Sequence, residues 1–224
     1  MKKQMIRTAL AAALGCAATL ASAGTVTLTD WTFGSGNTIN VSNPAHNGPA
    51  GGFKGSLAGF GSPFDTASFL TYCVELTEYF SFSTTGMTNY SLVSGAGYGE
   101  WTHAATTSNR IGQLMSYVNA NPTAVDTAAK STSLQLAIWN SIYDTDNTLA
   151  GGDFKDTTAF SAYANTLLTD SLGTTSNLNV YVVTKAGSQD FLVTTAVPEP
   201  GTYALMMAGL AGMGFVARRR RVQR

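Results

Sequence analysis

The chain has 224 residues, 13 basic and 13 acidic side chains and two cysteines. Between Gly24 and Ala196, however, Lys54, Arg110, Lys130, Lys155 and Lys185 are the only bases against twelve acids, a net charge of −7. Such a charge repels phosphate backbones and argues against a nucleic-acid partner, while 173 residues are enough to bury one sizeable core.

The N-terminus carries Lys2, Lys3 and Arg7, an apolar run from Ala9 to Leu20, and Ala21-Ser22-Ala23 before Gly24. A basic start, a greasy middle too short to span comfortably and a small-x-small exit predict a signal peptide over 1–23, cut after Ala23. Cys16, in Ala13-Leu14-Gly15-Cys16, is similar to a lipoprotein box with Ala at its first position, but the apolar run continues past it. Without the signal peptide Cys73 is the only cysteine, so the exported body has no intramolecular disulfide. A lone thiol outside the cytoplasm is either buried and inert, paired with another chain, or committed to other chemistry.

In chain order, Val26 and Leu28 alternate with threonines, and Trp31 and Phe33 continue that strand after a phase change of the kind a bulge gives. Residues Asn37 to Gly61, rich in Gly, Asn, Ser and Pro, read as loop and hairpin material. Phe69 to Phe82 reads as one long strand or a bent pair, with Cys73, Glu75 and Thr77 on one face and Tyr72, Val74 and Leu76 on the other. Ser91 to Gly99 reads as loop.

The period then changes. Ile111, Leu114, Met115 and Val118 have helix spacing after a cap at Ser108 or Asn109, and Asn121-Pro122 stops that helix. A second helix is predicted from about Thr127 to Tyr143 with two apolar stripes, so it is buried on most sides. A third follows Asp156 as cap, with Phe160, Tyr163, Ala164, Leu167 and Leu168 on one face and Gly173 at its end. Leu178–Lys185 and Asp190–Ala196 close the body as a hairpin. Strands, helices, strands give an α+β single domain over 24–196, strand-rich with a central insertion of two to three helices.

Val197-Pro198-Glu199-Pro200, an apolar segment over 201–217 and Arg218, Arg219, Arg220 and Arg221 form the C-terminal end. Prolines around Glu199 hold an extended backbone that a protease can grip, and the arginines keep the end cytoplasmic. An ordinary anchor accounts for the apolar run and the arginines but not for Pro-Glu-Pro. This end resembles the PEP-CTERM sorting signal of Gram-negative bacteria from Val197 to Arg221. The resemblance implies an exosortase-type sorting protease as partner, an inner-membrane tether through a transmembrane helix before processing, and release to the cell surface or matrix.

Tyr72-Cys73-Val74-Glu75-Leu76 and Leu134-Gln135-Leu136-Ala137-Ile138-Trp139, followed by Asn140 to Asp144, resemble the thioester domains of bacterial surface adhesins. That resemblance implies that Cys73 and Gln135 are joined as an internal acyl thioester, with Tyr72, Val74, Glu75, Ala137, Ile138 and Trp139 as the supporting motif. Such a bond is a stored electrophile that an amine on a surface partner can open. The alternative is a core in which Cys73 is a small buried hydrophobe and Gln135 satisfies backbone groups.

Other chemistry is weaker. His46 and His103 lack zinc-ligand spacing, and a Cys-His pair would need one of them near Cys73. Asp144, Asp146, Asn147 and Asp153 crowd a glycine-containing loop, but Thr148 breaks the calcium-loop pattern, so a solvated acidic loop is the simpler reading. The expectation is an exported adhesion, envelope or biofilm protein that is not an enzyme and uses no cofactor or metal, or else a non-covalent matrix module.

Overall fold

The computed structural model describes residues 23–197, 205–210 and 213. The expected signal peptide, Pro198, Glu199, Pro200, most of 201–217 and the arginines 218–221 lie outside the described residues. Among those described, no helix is long and apolar enough to cross a membrane.

The body is strand-rich α/β. Strand β1 (Gly24–Trp31) buries Val26 and Leu28 and pairs antiparallel with β4 (Phe53–Ala58) and β6 (Met87–Ser94). The expected bulge is present, since the β1–β4 register shifts between Leu28 and Asp30. Gly55 sits opposite Leu28, where a Cβ would collide with the backbone of Thr27, so only glycine lets the strands approach this closely. The strand ends at Trp31, and Phe33 lies in the turn that follows.

Adding β5 (Thr66–Thr71), β8 (Leu178–Lys185) and β9 (Ser188–Ala196) gives a six-stranded sheet in the order β5-β4-β1-β6-β8-β9. Its two edges almost meet. At the end of β5 and just past it, Thr71 Oγ1 donates to Leu192 O (2.6 Å), Leu192 N to Tyr72 O (3.0 Å) and Val74 N to Asp190 O (3.1 Å). This seam nearly closes the sheet and removes the liability of two open edges.

A smaller sheet, β3-β2-β7, is built from β2 (Asn37–Asn43), β3 (Ala45–Ala50) and β7 (Lys155–Asp156). Three segments therefore differ from expectation. Asn37 to Gly61, expected as loop and hairpin, contains the hairpin β2–β3, in which Ile39 and Val41 are buried, and in addition the strand β4, so it holds less loop than its polar composition suggests. Ser91–Ser94 belongs to β6, and a short helical turn, Gly95–Gly97, follows it. The long strand or bent pair expected over Phe69 to Phe82 is neither: β5 ends at Thr71, leaving Cys73 in a single bridge to Phe191.

Three helices pack with the sheets. Helix α1 (Ala104–Ala120) starts earlier than Ser108, at cap His103, and stops at Asn121. Helix α2 (Ala128–Tyr143) is capped by the Thr127 side chain, and every residue from Ser131 to Ile142 is buried, as its double stripe requires. Its polar side chains stitch neighbouring backbone: Ser131 Oγ accepts from Gly52 N (2.8 Å), Thr132 Oγ1 donates to Ala50 O (2.8 Å) and Ser133 Oγ to Phe160 O (2.9 Å). Buried hydroxyls are tolerated because each is satisfied. In α3 (Ser161–Asp170) the cap is Phe160, whereas Asp156 braces the preceding turn by accepting from Thr158 N (3.0 Å) and the Ser161 hydroxyl.

Candidate functional site at the sheet seam

Neighbouring residues of a strand turn their N–H and C=O groups to opposite sides. Tyr72 and Val74 use theirs on β9, so those of Cys73 point the other way, towards α2. There Gln135 meets both. Cys73 N donates to Gln135 Oε1 (2.9 Å) and Gln135 Nε2 donates to Cys73 O (2.8 Å). The two residues, 62 positions apart, are 7% and 1% exposed.

The supporting residues divide by role. Val74, Ala137 and Ile138 are core, and the Tyr72 hydroxyl lies 3.3 Å from Ser131 Oγ, tying the seam to α2. Trp139 and Glu75 instead border a cavity of about 370 Å³ that Cys73 also lines. Its walls are largely aromatic, with Trp31, Phe53, Phe80 and Phe82 in edge-on or tilted contact with one another at 4.7–5.9 Å between centroids.

Burial, and then the neighbouring Glu75 carboxylate, push the Cys73 thiol above its ordinary range. The thiol is thus held neutral and is a poor free nucleophile. His46, placed on β3, lines the same cavity, its ring 6.3 Å from Tyr79 and 6.0 Å from Trp139. Burial lowers its pKa, which disfavours the imidazolium that would stabilise a thiolate. His103 is elsewhere, its Nε2 3.3 Å from Tyr143 O.

Glu75, Glu78 and Asp190 place carboxylate oxygens within 4.8 Å of one another. Desolvation, followed by the carboxyls of Glu100, Asp190 and Glu78, pushes Glu75 up to about 9. Asp190 is also raised, by burial, although Lys185 N (2.8 Å) and the Tyr98 hydroxyl (2.6 Å) donate to it. Sequence reading left a histidine near Cys73 open without choosing His46, and missed Glu78 and Asp190 near Cys73 and Glu100 beside Glu75. The one local signal was Glu75 and Glu78 ahead of the run Tyr79-Phe80-Ser81-Phe82, a mixture of acid and aromatic residues too irregular for a core strand.

The Asp144–Asp153 loop is a separate, self-satisfied structure. Asp144 accepts backbone N–H bonds from Thr145 (2.7 Å), Asp153 (2.6 Å) and Phe154 (3.1 Å), while the Arg110 guanidinium donates to the carbonyls of Asp144 and Asp146.

Residues 196–221 match the family model of the PEP-CTERM protein-sorting motif. No curated protein and no solved structure matches the chain. The comparisons thus touch the tail alone, and none supports the likeness of the body to thioester domains. What the tail motif implies is export, processing by an exosortase and membrane-anchored sorting to the cell surface.

Proposed function

We propose that this exported protein stores an electrophile as a Cys73–Gln135 thioester and couples once, covalently, to an amine at the cell surface, in adhesion or in the envelope or biofilm matrix. The observation that carries this reading is the docking of the Gln135 amide on the peptide unit of Cys73. Cys73 N–H donates to the oxygen on which negative charge develops when sulfur adds to the Gln135 side-chain carbonyl carbon, the role of an oxyanion donor. In bond formation the S–H and C–N bonds break, the C–S bond forms, and the thiol proton leaves with the amide nitrogen as ammonia. Burial of the pair keeps water from the product, and the high thiol pKa makes sulfur a reluctant leaving group. Both favour a long-lived bond. Since the acyl group is spent in one event, the protein is a single-use coupler and not a turnover enzyme.

In the exported, unreduced protein the intact mass should be one ammonia lower than the sequence requires. Methylamine should open the bond and restore a free thiol, and Cys73→Ala or Gln135→Ala should each abolish the deficit. A full mass, with Cys73 reacting with a thiol reagent only after unfolding, would overturn the reading. A second reading, a non-covalent matrix module, is favoured in that case by the same two hydrogen bonds, in which Gln135 serves as backbone partner to the seam. For sorting, deletion of Pro198 to Arg224 should move the protein from the membrane to soluble periplasmic or culture fractions. Retention in the membrane would shift attention to Cys16 lipidation.

A further inference from the structure

We propose that the cavity beside Cys73 is a receptor for an alkylammonium group, with Glu75 and Glu78 holding its charge and Glu75 taking its proton. The covalent step rests on the thioester reading, whereas recognition rests on the cavity itself. Aromatic faces beside carboxylates form the environment that attracts an organic cation, and a cavity of about 370 Å³ admits an aliphatic arm behind it. Of the three clustered acids, Asp190 is engaged by Lys185 N and the Tyr98 hydroxyl, whereas Glu75 and Glu78 border the cavity. Oε2 of Glu75 is buried with no hydrogen-bond partner. The described ion pairs are Lys54–Asp30 and Lys130–Asp126, so no described residue neutralises either glutamate.

Trp139 is an independent mark of an occupant. It is 3% exposed, lines this cavity, and its Nε1–H has no acceptor. A buried donor without a partner is costly, and an arriving molecule that brings an acceptor beside its amine relieves it. The crowding that raises Glu75 in the empty cavity is relieved in the same way, because an entering cation favours the ionised carboxylate and the proton Glu75 carried passes to solvent as the cation enters. The chemistry then balances. The ammonium gives one proton to the Glu75 carboxylate, and the neutral amine attacks the Gln135 acyl carbon. The C–N bond forms as the C–S bond breaks, and the departing Cys73 sulfur takes the second proton of that nitrogen.

Two measurements test the receptor. The exported Cys73→Ala protein, which has no thioester, should bind pentyltrimethylammonium about tenfold more tightly than its neutral tert-butyl analogue, the worth of one partly desolvated cation contact. Glu75→Gln and Glu78→Gln should each erase that preference. In the wild-type protein, opening by 1,5-diaminopentane relative to neutral hydroxylamine should fall roughly tenfold on Glu75→Gln. Equal binding of the charged and neutral probes, or opening indifferent to charge, would overturn the proposal. So would a calcium-induced rise in melting temperature that depends on Glu75, Glu78 and Asp190 and displaces the ammonium probe, since the cluster would then be a metal site. A missing mass deficit with ammonium binding intact overturns the thioester alone, whereas a deficit with charge-blind opening overturns the receptor alone.

Discussion

Two clusters of acidic residues lie in this body, and they are opposites. In the Asp144 loop the carboxylate accepts backbone N–H bonds from Thr145, Asp146, Asp153 and Phe154, and Gly152, with φ +71°, passes so close that any Cβ would overlap it. Arg110 gathers the loop's carbonyls from the other side. Although burial works against it, those backbone donors hold Asp144 below the usual carboxylate range. At the seam Glu75 has no such donors and faces other carboxyls, and it is raised. Sequence composition drew attention to the loop and read it as a solvated acidic loop, whereas it is the seam cluster that remains electrostatically unfinished. Satisfied acids build a loop, and the unsatisfied ones at the seam are those on which the proposed receptor rests.

The largest expected effect is on the cavity side. Trp139→Ala should destabilise the body by about 3–5 kcal/mol, because it removes a buried indole from the helix against which the seam closes. A melting curve close to wild type would mean that the cavity wall is not part of the core. On the loop side, Asp144→Ala strips the acceptor from four backbone N–H groups and removes one of the two negative charges, Asp144 and Asp146, that act on Arg110, so a loss of about 2–4 kcal/mol is expected in denaturant titration. A loss below that of an ordinary surface substitution would place the loop's stability in calcium or another ligand after all.

The smallest effect separates the clusters by pH. Because the folded-state pKa of Asp144 is lowered, its contribution is present above the unfolded value and disappears as pH falls through the folded one, which puts its signature on the acid limb. Glu75 is raised from 4.5 to about 9, so its folded-state proton stabilises fully below 4.5 and that stability is lost progressively as pH rises towards 9. Glu78, Glu100 and Asp190 face it, and Asp190, also raised, contributes in the same direction. Glu75→Gln should therefore flatten the decline in melting temperature between about pH 5 and pH 9 without altering the acid limb. An unchanged alkaline slope would show that Glu75 titrates normally.

Much of the scaffold was determined by the sequence alone, since the signals are local. The double stripe of α2, its start near Thr127, the Asn121-Pro122 stop and the β8–β9 hairpin with Gly187 at φ +72° each follow from a few adjacent residues and their backbone preferences. So does the tail, whose residues 196–221 carry the sorting motif in continuous order. Cys73 and Gln135 were legible as a pair only through resemblance; that Gln135 satisfies backbone groups was one of two readings of the sequence, but that those groups are the N–H and C=O of Cys73 was not legible. Sheet closure decided it: pairing Tyr72 and Val74 with β9, more than a hundred residues away, turns the peptide groups of Cys73 onto α2 and makes the Gln135 amide their partner. The same closure brings Asp190 beside Glu75, and the packing of the smaller sheet and α2 with it joins His46, Trp31 and Trp139 around one cavity. Periodicity records which face of an element is apolar, but it carries no information about which distant element that face meets, and a site made of charges and unpaired polar atoms exists only once those elements are assembled.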